Sequence, residues 1–366
     1  MTRTIDNNSE TARETAIILC EGHFAKFSGK TANGLVRHSR RFRITGVIDS
    51  TYAGRDAGDV LDGKPCGIPI YSTVTEAIGA LHEKPKWLIN GVASIGGRLP
   101  VEFRSHIQTA IENGINIICG LHEFLADDPE FSRLAAKYGV SIVDIRKEPP
   151  LAKMHGYMGR CAKLPVVRIP VLGSDSSIGK RTTAIFLTEA LNTAGIKTEF
   201  VATGQTGLLQ GSKYGIPLDA IQGDYMVGEL ENAIVQAYEN EKPKVIIIEG
   251  QGSISHPAYV CGTRAIINAS SPSGIICQHA PGRKIRNYGH DTLKIPMPDI
   301  AREIELLEIF SGSKVFAITL NHENLTESEL RRYALEYEKR FGIPSVDVLR
   351  DGCEPIVNAI RKKFGI

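Results

Sequence analysis

The stretch that most constrains the fold is the apolar run 166–172, followed by Gly173-Ser174-Asp175-Ser176-Ser177-Ile178-Gly179-Lys180-Arg181-Thr182-Thr183 and an amphipathic segment. An apolar strand, a loop of small residues and a helix that opens on a lysine make a phosphate-binding loop. Small side chains let successive backbone N–H groups converge on an anion. The helix N-terminus adds a partial positive charge and Lys180 a full one. Phosphate contacts are therefore expected from Gly173, Ser174, Asp175, Ser176, Ser177, Gly179, Lys180, Arg181 and Thr182. The loop departs from GxxxxGK[ST] in two ways: five residues separate the two glycines, and Arg181 stands where a magnesium-binding hydroxyl is usual. Thr182 and Thr183 are the remaining hydroxyls. Magnesium is not expected, and no metal site is assigned.

Around this loop, short apolar runs alternate with amphipathic stretches. Strands are expected at 16–19, 44–48, 87–89, 115–119 and 140–145, then at 166–172, 198–202, 245–248, 274–277 and 315–320. Helical patterns fall between them, at 29–38, 101–113, 181–194, 224–240 and 299–310, and another follows at 326–341. Strand–helix alternation means parallel α/β sheets. The pattern pauses from 149 to 165, which reads as a linker. At roughly 100–200 residues per domain, 366 residues suit two domains. The expected division is 1–152, Rossmann-like, and 160–366, a P-loop α/β domain.

Composition narrows the setting. A net charge of +2 gives no general drive toward nucleic acid. No apolar run approaches the roughly 18 residues of a membrane span. Residues 1–14 are polar, carry acids and lack the apolar core of a signal peptide, so they read as a frayed tail. Seven scattered cysteines without a CxxC pair fit a reducing cytoplasm and neither a disulfide framework nor a zinc site. A cytoplasmic homodimer or higher homo-oligomer acting on a small molecule is expected.

Further candidate residues sit at other strand ends. Glu249, in Ile246-Ile247-Ile248-Glu249-Gly250-Gln251-Gly252, would hold a metal or accept a proton, and burial there would raise its pKa. His256 follows on the same loop as a rival base. Gln205 and Thr206, after the 198–202 strand, are candidate substrate donors. Arg283, Lys284 and Arg286 would grip a phosphate or carboxylate. Asn321 stands where P-loop proteins often read a base. The loop at 173–183 resembles the Gly-Thr-Asp…Val-Gly-Lys-Thr loop of dethiobiotin synthetase, which also has the extra residue. The strand end at Glu249 resembles that enzyme's Val-Glu-Gly-Ala-Gly-Gly.

The first half has no GxGxxG, although Asp49 follows the second strand as a weak ribose signal. Ala53-Gly54-Arg55-Asp56-Ala57-Gly58 and Gly67-Ile68-Pro69-Ile70-Tyr71-Ser72-Thr73-Val74-Thr75-Glu76-Ala77 resemble the CoA-binding domain of the succinyl-CoA synthetase α subunit. CoA-type binding, dinucleotide binding and a scaffold role all remain open for this half.

Five segments together carry a resemblance along nearly the whole chain: Lys30-Thr31-Ala32-Asn33-Gly34-Leu35, Val47-Ile48-Asp49-Ser50, residues 53–58, Lys180-Arg181-Thr182-Thr183 and Glu249-Gly250-Gln251-Gly252. On these the chain is identified as a member of a P-loop family formerly of unknown function. That family includes the bacterial D-glutamate N-acetyltransferases. The resemblance implies acetyl transfer from acetyl-CoA, as co-substrate, to the amine of D-glutamate in D-amino-acid catabolism. Arg181 after the lysine belongs to the family pattern, which turns the loop toward CoA phosphates. No cysteine motif supports an acyl-enzyme, so direct transfer is expected, with Glu249 or His256 as the base. An ATP-dependent ligase or kinase like dethiobiotin synthetase, and a non-catalytic nucleotide-binding protein, stay open as alternatives.

Overall fold

A computed structural model describes residues 13–259, 261–288 and 293–366. The expected polar tail lies outside these up to residue 12, and Glu14 already belongs to the first strand. The chain divides into two compact units. One comprises the described residues up to Pro149 together with Gln205–Gly211; the other comprises Pro150–Gly204 and Ser212–Ile366.

In the first unit the strands are β1 (Glu14–Leu19), β2 (Phe42–Ile48), β3 (Ile70–Tyr71), β4 (Trp87–Asn90), β5 (Asn116–Cys119) and β6 (Ile142–Asp144). They form a sheet in the order β3-β2-β1-β4-β5-β6, parallel throughout. This is the doubly wound order that pairs two mononucleotide-type halves. Its helices are α1 (Lys30–His38), α2 (Ala57–Asp62), α3 (Val74–Ala80), α4 (Phe103–Glu112) and α5 (Pro129–Tyr138). Local chemistry sets their ends. For α5, Asp128 caps the first N–H groups, Pro129 takes the first turn, and Gly139 ends the helix in the left-handed region. A further short helix, α7 (Gln205–Gln210), comes from much later in the chain, and its Leu209 lies in the same core as Ile18, Ile89 and Ile118.

In the second unit the strands are β7 (Val167–Gly173), β8 (Thr198–Ala202), β9 (Tyr214–Gly215), β10 (Val245–Glu249), β11 (Ile275–His279), β12 (Val315–Leu320) and β13 (Ser345–Val346). Their order is β13-β12-β11-β7-β10-β8-β9, again parallel. Both faces are covered, so the strands read as continuous apolar runs. Alternate residues of β10 divide between two cores: Ile246 and Ile248 in one, Val245 and Ile247 in the other. The helices are α6 (Lys180–Thr193), α8 (Gly223–Glu241), α9 (Cys261–Ser270), α10 (Ile300–Ser311), α11 (Glu327–Phe341) and α12 (Glu354–Phe364).

The irregular stretch after Pro150 is not loose. Glu229 of α8 accepts the His155 backbone N–H at 2.5 Å. Buried Glu231 accepts those of Met158 at 2.8 Å and Arg160 at 2.6 Å. Two carboxylates thus satisfy backbone donors that have no sheet or helix to join.

Candidate functional site

The phosphate loop connects β7 to α6. Ser177 (φ 52°) and Gly179 (φ 103°) are both in the left-handed region. Such turns aim successive N–H groups into one concavity, and a φ near 100° at Gly179 is strained for any residue with a side chain. The loop is braced from several sides. The Arg283 guanidinium donates to Asp175 Oδ2 at 2.8 Å and to the carbonyls of Ser176 and Ser177 at 2.9 and 3.2 Å, and it also pairs with Glu323. Asp175 Oδ2 additionally accepts the Asn287 N–H at 2.9 Å. Asn321 Nδ2 donates to the Ile178 carbonyl at 2.9 Å. Ser174 Oγ lies 2.7 Å from His279 Nδ1, and burial pushes the His279 pKa down to about 4.

Lys180 is buried, and its Nζ donates to the carbonyls of Asp175 at 2.5 Å and Gly252 at 2.9 Å. Burial pushes its pKa down to about 8, against the pull of Asp175, Glu303 and Glu249. Arg181 is half-buried and makes no hydrogen bond or ion pair among the described residues. Burial lowers its pKa, with the Glu249 charge working the other way. Thr183 is already used: its Oγ1 donates to Gln278 Oε1 at 2.6 Å, as does Thr319 Oγ1 at 2.6 Å.

Glu249 closes β10 and is buried. Its Oε2 accepts the N–H groups of Thr203 at 2.9 Å and Gly204 at 3.2 Å. Burial raises its pKa, and Arg181, those N–H groups and Lys180 hold it back. A carboxylate in this position is anchored through one oxygen and tuned upward, as a base requires.

His256 is held by the backbone of its own loop. Its Nδ1 accepts the N–H groups of Ala258 at 3.0 Å and Tyr259 at 3.1 Å, which assigns the ring proton of the neutral form to Nε2. Burial keeps the ring neutral by lowering its pKa. The ring therefore presents a donor where a base would present a lone pair. Among the described residues Nε2 has no hydrogen-bond partner, with Asp175 Oδ1 at 3.9 Å.

The five remaining expected substrate-binding residues lie in different places. Gln205 and Thr206 are buried in the first unit: Thr206 Oγ1 is 3.1 Å from Thr31 Oγ1, and Gln205 Nε2 donates to Thr31 Oγ1 at 3.4 Å. Gln205 also fills the space over Gly120, where a Cβ would come within 1.6 Å of Oε1. Arg283 is committed to the phosphate loop, so it is a brace and has no free edge for a substrate carboxylate. Lys284 is exposed. Arg286 is buried behind the loop that carries His256, on Ser253 and Ser255.

In the first unit, Asp49 is a structural cap. It accepts the N–H groups of Phe24 at 3.0 Å and Thr51 at 3.0 Å. Asp56 accepts four backbone N–H groups, from Gly58, Asp59, Cys66 and Gly67, and these hold its carboxyl below the usual range although burial acts to raise it. The segments that resemble a CoA-binding domain are thus tied to each other by one aspartate.

Two family models match this chain. A domain of unknown function described as a Rossmann-like domain, DUF1611_N, matches 50–148, and one described as a P-loop domain, DUF1611_C, matches 155–357. The chain belongs to the DUF1611 family. A crystal structure of a DUF1611 protein from Anabaena variabilis matches with a TM-score of 0.86 and 30% identity, over 96% of this chain and 100% of that one. A protein of Tritonibacter scottomollicae named D-glutamate N-acetyltransferase is 32% identical over 298 residues, 81% of this chain and 87% of its own. A Pseudoalteromonas protein of the same name is 32% identical over 279 residues, 74% and 80% of the two chains. Among the described residues of this DUF1611 chain, no helix is long and apolar enough to cross a membrane.

Glu303, Ser253 and Ser255 join the site without a motif to announce them. The only sequence signal was a glutamate inside an otherwise apolar helix face, where it is fully buried and accepts the Ile254 N–H at 3.0 Å.

Proposed function

We propose that this chain transfers the acetyl group of acetyl-CoA to the amine of D-glutamate, a step of D-amino-acid catabolism. One juxtaposition carries the reading: a buried carboxylate of raised pKa, Glu249, lies within the electrostatic reach of two cations of an anion-cradling loop, Lys180 and Arg181. The names of the two relatives support the same acceptor and the same group transferred. The loop amides with Lys180 and Arg181 bind the phosphates of the donor. Arg181 places a fixed charge where nucleotide-hydrolysing loops use a hydroxyl and magnesium, so the reaction runs without that metal.

The amine nitrogen attacks the thioester carbon, a C–N bond forms, and the carbonyl electron pair moves onto oxygen. Glu249 takes the proton from the attacking nitrogen. Collapse of the oxyanion breaks the C–S bond, and the proton passes to the leaving thiolate to give CoA. Because the base must start ionised, activity rises with pH through the elevated Glu249 pKa. All seven cysteines are free thiols, which supports a reducing, cytoplasmic setting. We also read the working form as a homo-oligomer.

The test mixes purified protein with acetyl-CoA and D-glutamate, follows free thiol, and identifies the product by mass. Thiol release dependent on D-glutamate is expected. ADP release from ATP without acetyl-CoA would replace this reading with a ligase or kinase.

A further inference from the structure

Arg286 is 6% exposed, yet it touches no carboxylate directly among the described residues. Its Nη1 and Nη2 donate to two neutral hydroxyls, Ser253 Oγ at 3.3 Å and Ser255 Oγ at 2.6 Å, and its Nε has no partner. Glu303 is hydrogen-bonded to it only by way of Ser255, and acts on it, as Asp175 does, as a charge at longer range. A buried cation without a direct counter-charge is costly, and so is a buried N–H without an acceptor. His256, 0% exposed, adds a second such donor at Nε2.

The nearest carboxylate, Asp175, is bonded to other groups and stands too far off to accept from His256. Asp175 Oδ1 accepts the Ser176 N–H at 2.7 Å, and Oδ2 is shared by Arg283 and Asn287. Arg283 pairs with Asp175 at 2.8 Å, so the Asp175 charge is shared, while Glu303 acts on both Arg286 and Lys180 from further off. The Tyr259 ring stacks on His256 at 4.7 Å, Tyr288 lies at 6.3 Å, and the Tyr259 hydroxyl donates to the Tyr288 carbonyl at 3.2 Å. Tyr259 is 41% exposed, so this roof borders solvent.

We propose that His256 Nε2–H and Arg286 Nε–H together receive a carboxylate of the amino acid acceptor, beneath the Tyr259 ring. One cationic and one neutral N–H donor suit the two oxygens of a carboxylate. The inference rests on the acetyl-transfer reading for the identity of that acceptor. It makes His256 a binding residue and leaves proton transfer to Glu249.

The test compares wild type, His256→Leu and His256→Gln, each checked for an unchanged thermal midpoint. Gln restores an N–H donor and cannot act as a base. Loss of one hydrogen bond to a charged group should raise the D-glutamate KM of His256→Leu about 10–100-fold, with kcat and the acetyl-CoA KM within about threefold, and Gln should recover most of it. A fall in kcat at constant KM, a rise in acetyl-CoA KM, or no effect would each overturn the proposal. Calorimetric titration with D-glutamate separates the two ideas. Wild type that binds D-glutamate but transfers no acetyl group refutes the activity and keeps the subsite, provided His256→Leu loses that binding. Active enzyme whose His256→Leu variant binds normally refutes the subsite alone.

Discussion

Both units end their parallel strands beside a helix N-terminus, and they finish that edge in opposite ways. In the first, the chain supplies its own occupant. Helix α7 bonds Thr31 in the first turn of α1, covers Gly120 after β5, reaches the Gly34 carbonyl through Gln210 Nε2 at 2.8 Å, and buries Leu209. Every group involved is neutral, and the atoms without a partner there among the described residues, Gln205 Oε1 and Gln210 Oε1, are amide acceptors. In the second, the corresponding edge holds Lys180, Arg181, Glu249 and Arg286, with donors left unsatisfied at His256 and Arg286. Ligands of doubly wound sheets gather outside the carboxyl ends of the strands. A strand order that suits a nucleotide therefore says little about binding until one knows whether that edge is already packed. On the proposed reading, buried charge held by neutral partners marks the edge that takes a ligand, and buried neutral side chains mark the one that is filled.

The contrast can be broken most directly at Glu249. Glu249→Gln should lower kcat by about 10²–10⁴-fold, the usual range for general acid–base catalysis, whereas Gln205→Leu should leave kcat near wild type. A comparable loss from Gln205→Leu would place chemistry at the filled edge. Leu209→Ala should destabilise the protein by about 2–5 kcal/mol in denaturant titrations, as other large-to-small core changes do, with acetyl-CoA KM unaltered. A KM that climbs with the loss of stability would mean that α7 serves binding as well as packing. Lys180→Ala should raise the acetyl-CoA KM by about 10–100-fold, the worth of a hydrogen bond to a charged group.

The pH dependence sharpens the same point. In the proposed role the Lys180 cation would hold phosphate below its pKa of about 8 and lose its charge as pH rises through that value. The acetyl-CoA KM should therefore rise about tenfold one unit above that pKa in wild type. It should stay flat in Lys180→Arg, because arginine keeps its charge across this range. The smallest effect is expected from metal removal. EDTA should leave the rate unchanged, and recovery by magnesium of a lost rate would return the second unit to the ATP-dependent class.

Much of the second unit was legible in the chain. Strands β8 and β12 sit at the expected residues because apolar runs bounded by turns and helices are local signals. Helix α11 begins where Thr326 and Glu329 form a reciprocal cap, a pattern four residues long. Helix α7 was not legible. Its sequence, Gln205-Thr206-Gly207-Leu208-Leu209-Gln210, reads as a polar turn after a strand, and its glutamines and threonine look available for a substrate. Their partners lie about 175 residues earlier, at Thr31, and no local pattern announces a pairing at that separation. Short helices gain their stability from tertiary packing more than from propensity, so this one exists because unit one has a place for it.

The roles of the basic residues followed the same division. Clustering after a strand end predicted that Arg283 and Arg286 would matter. Only the tertiary structure assigned the first to Asp175, Ser176 and Ser177 as a brace and left the second buried on two serine hydroxyls with its Nε–H unpaired among the described residues. Likewise the order of residues placed His256 near Glu249, and the turn that points two N–H groups at its Nδ1 made it a donor. What the sequence alone determined is the class of sheet, the phosphate loop and its missing hydroxyl, because these depend on side-chain period and on neighbours within one turn. Which edge is occupied, which cation is free and which nitrogen carries the proton depend on groups far apart in the chain, whose meeting is decided by packing.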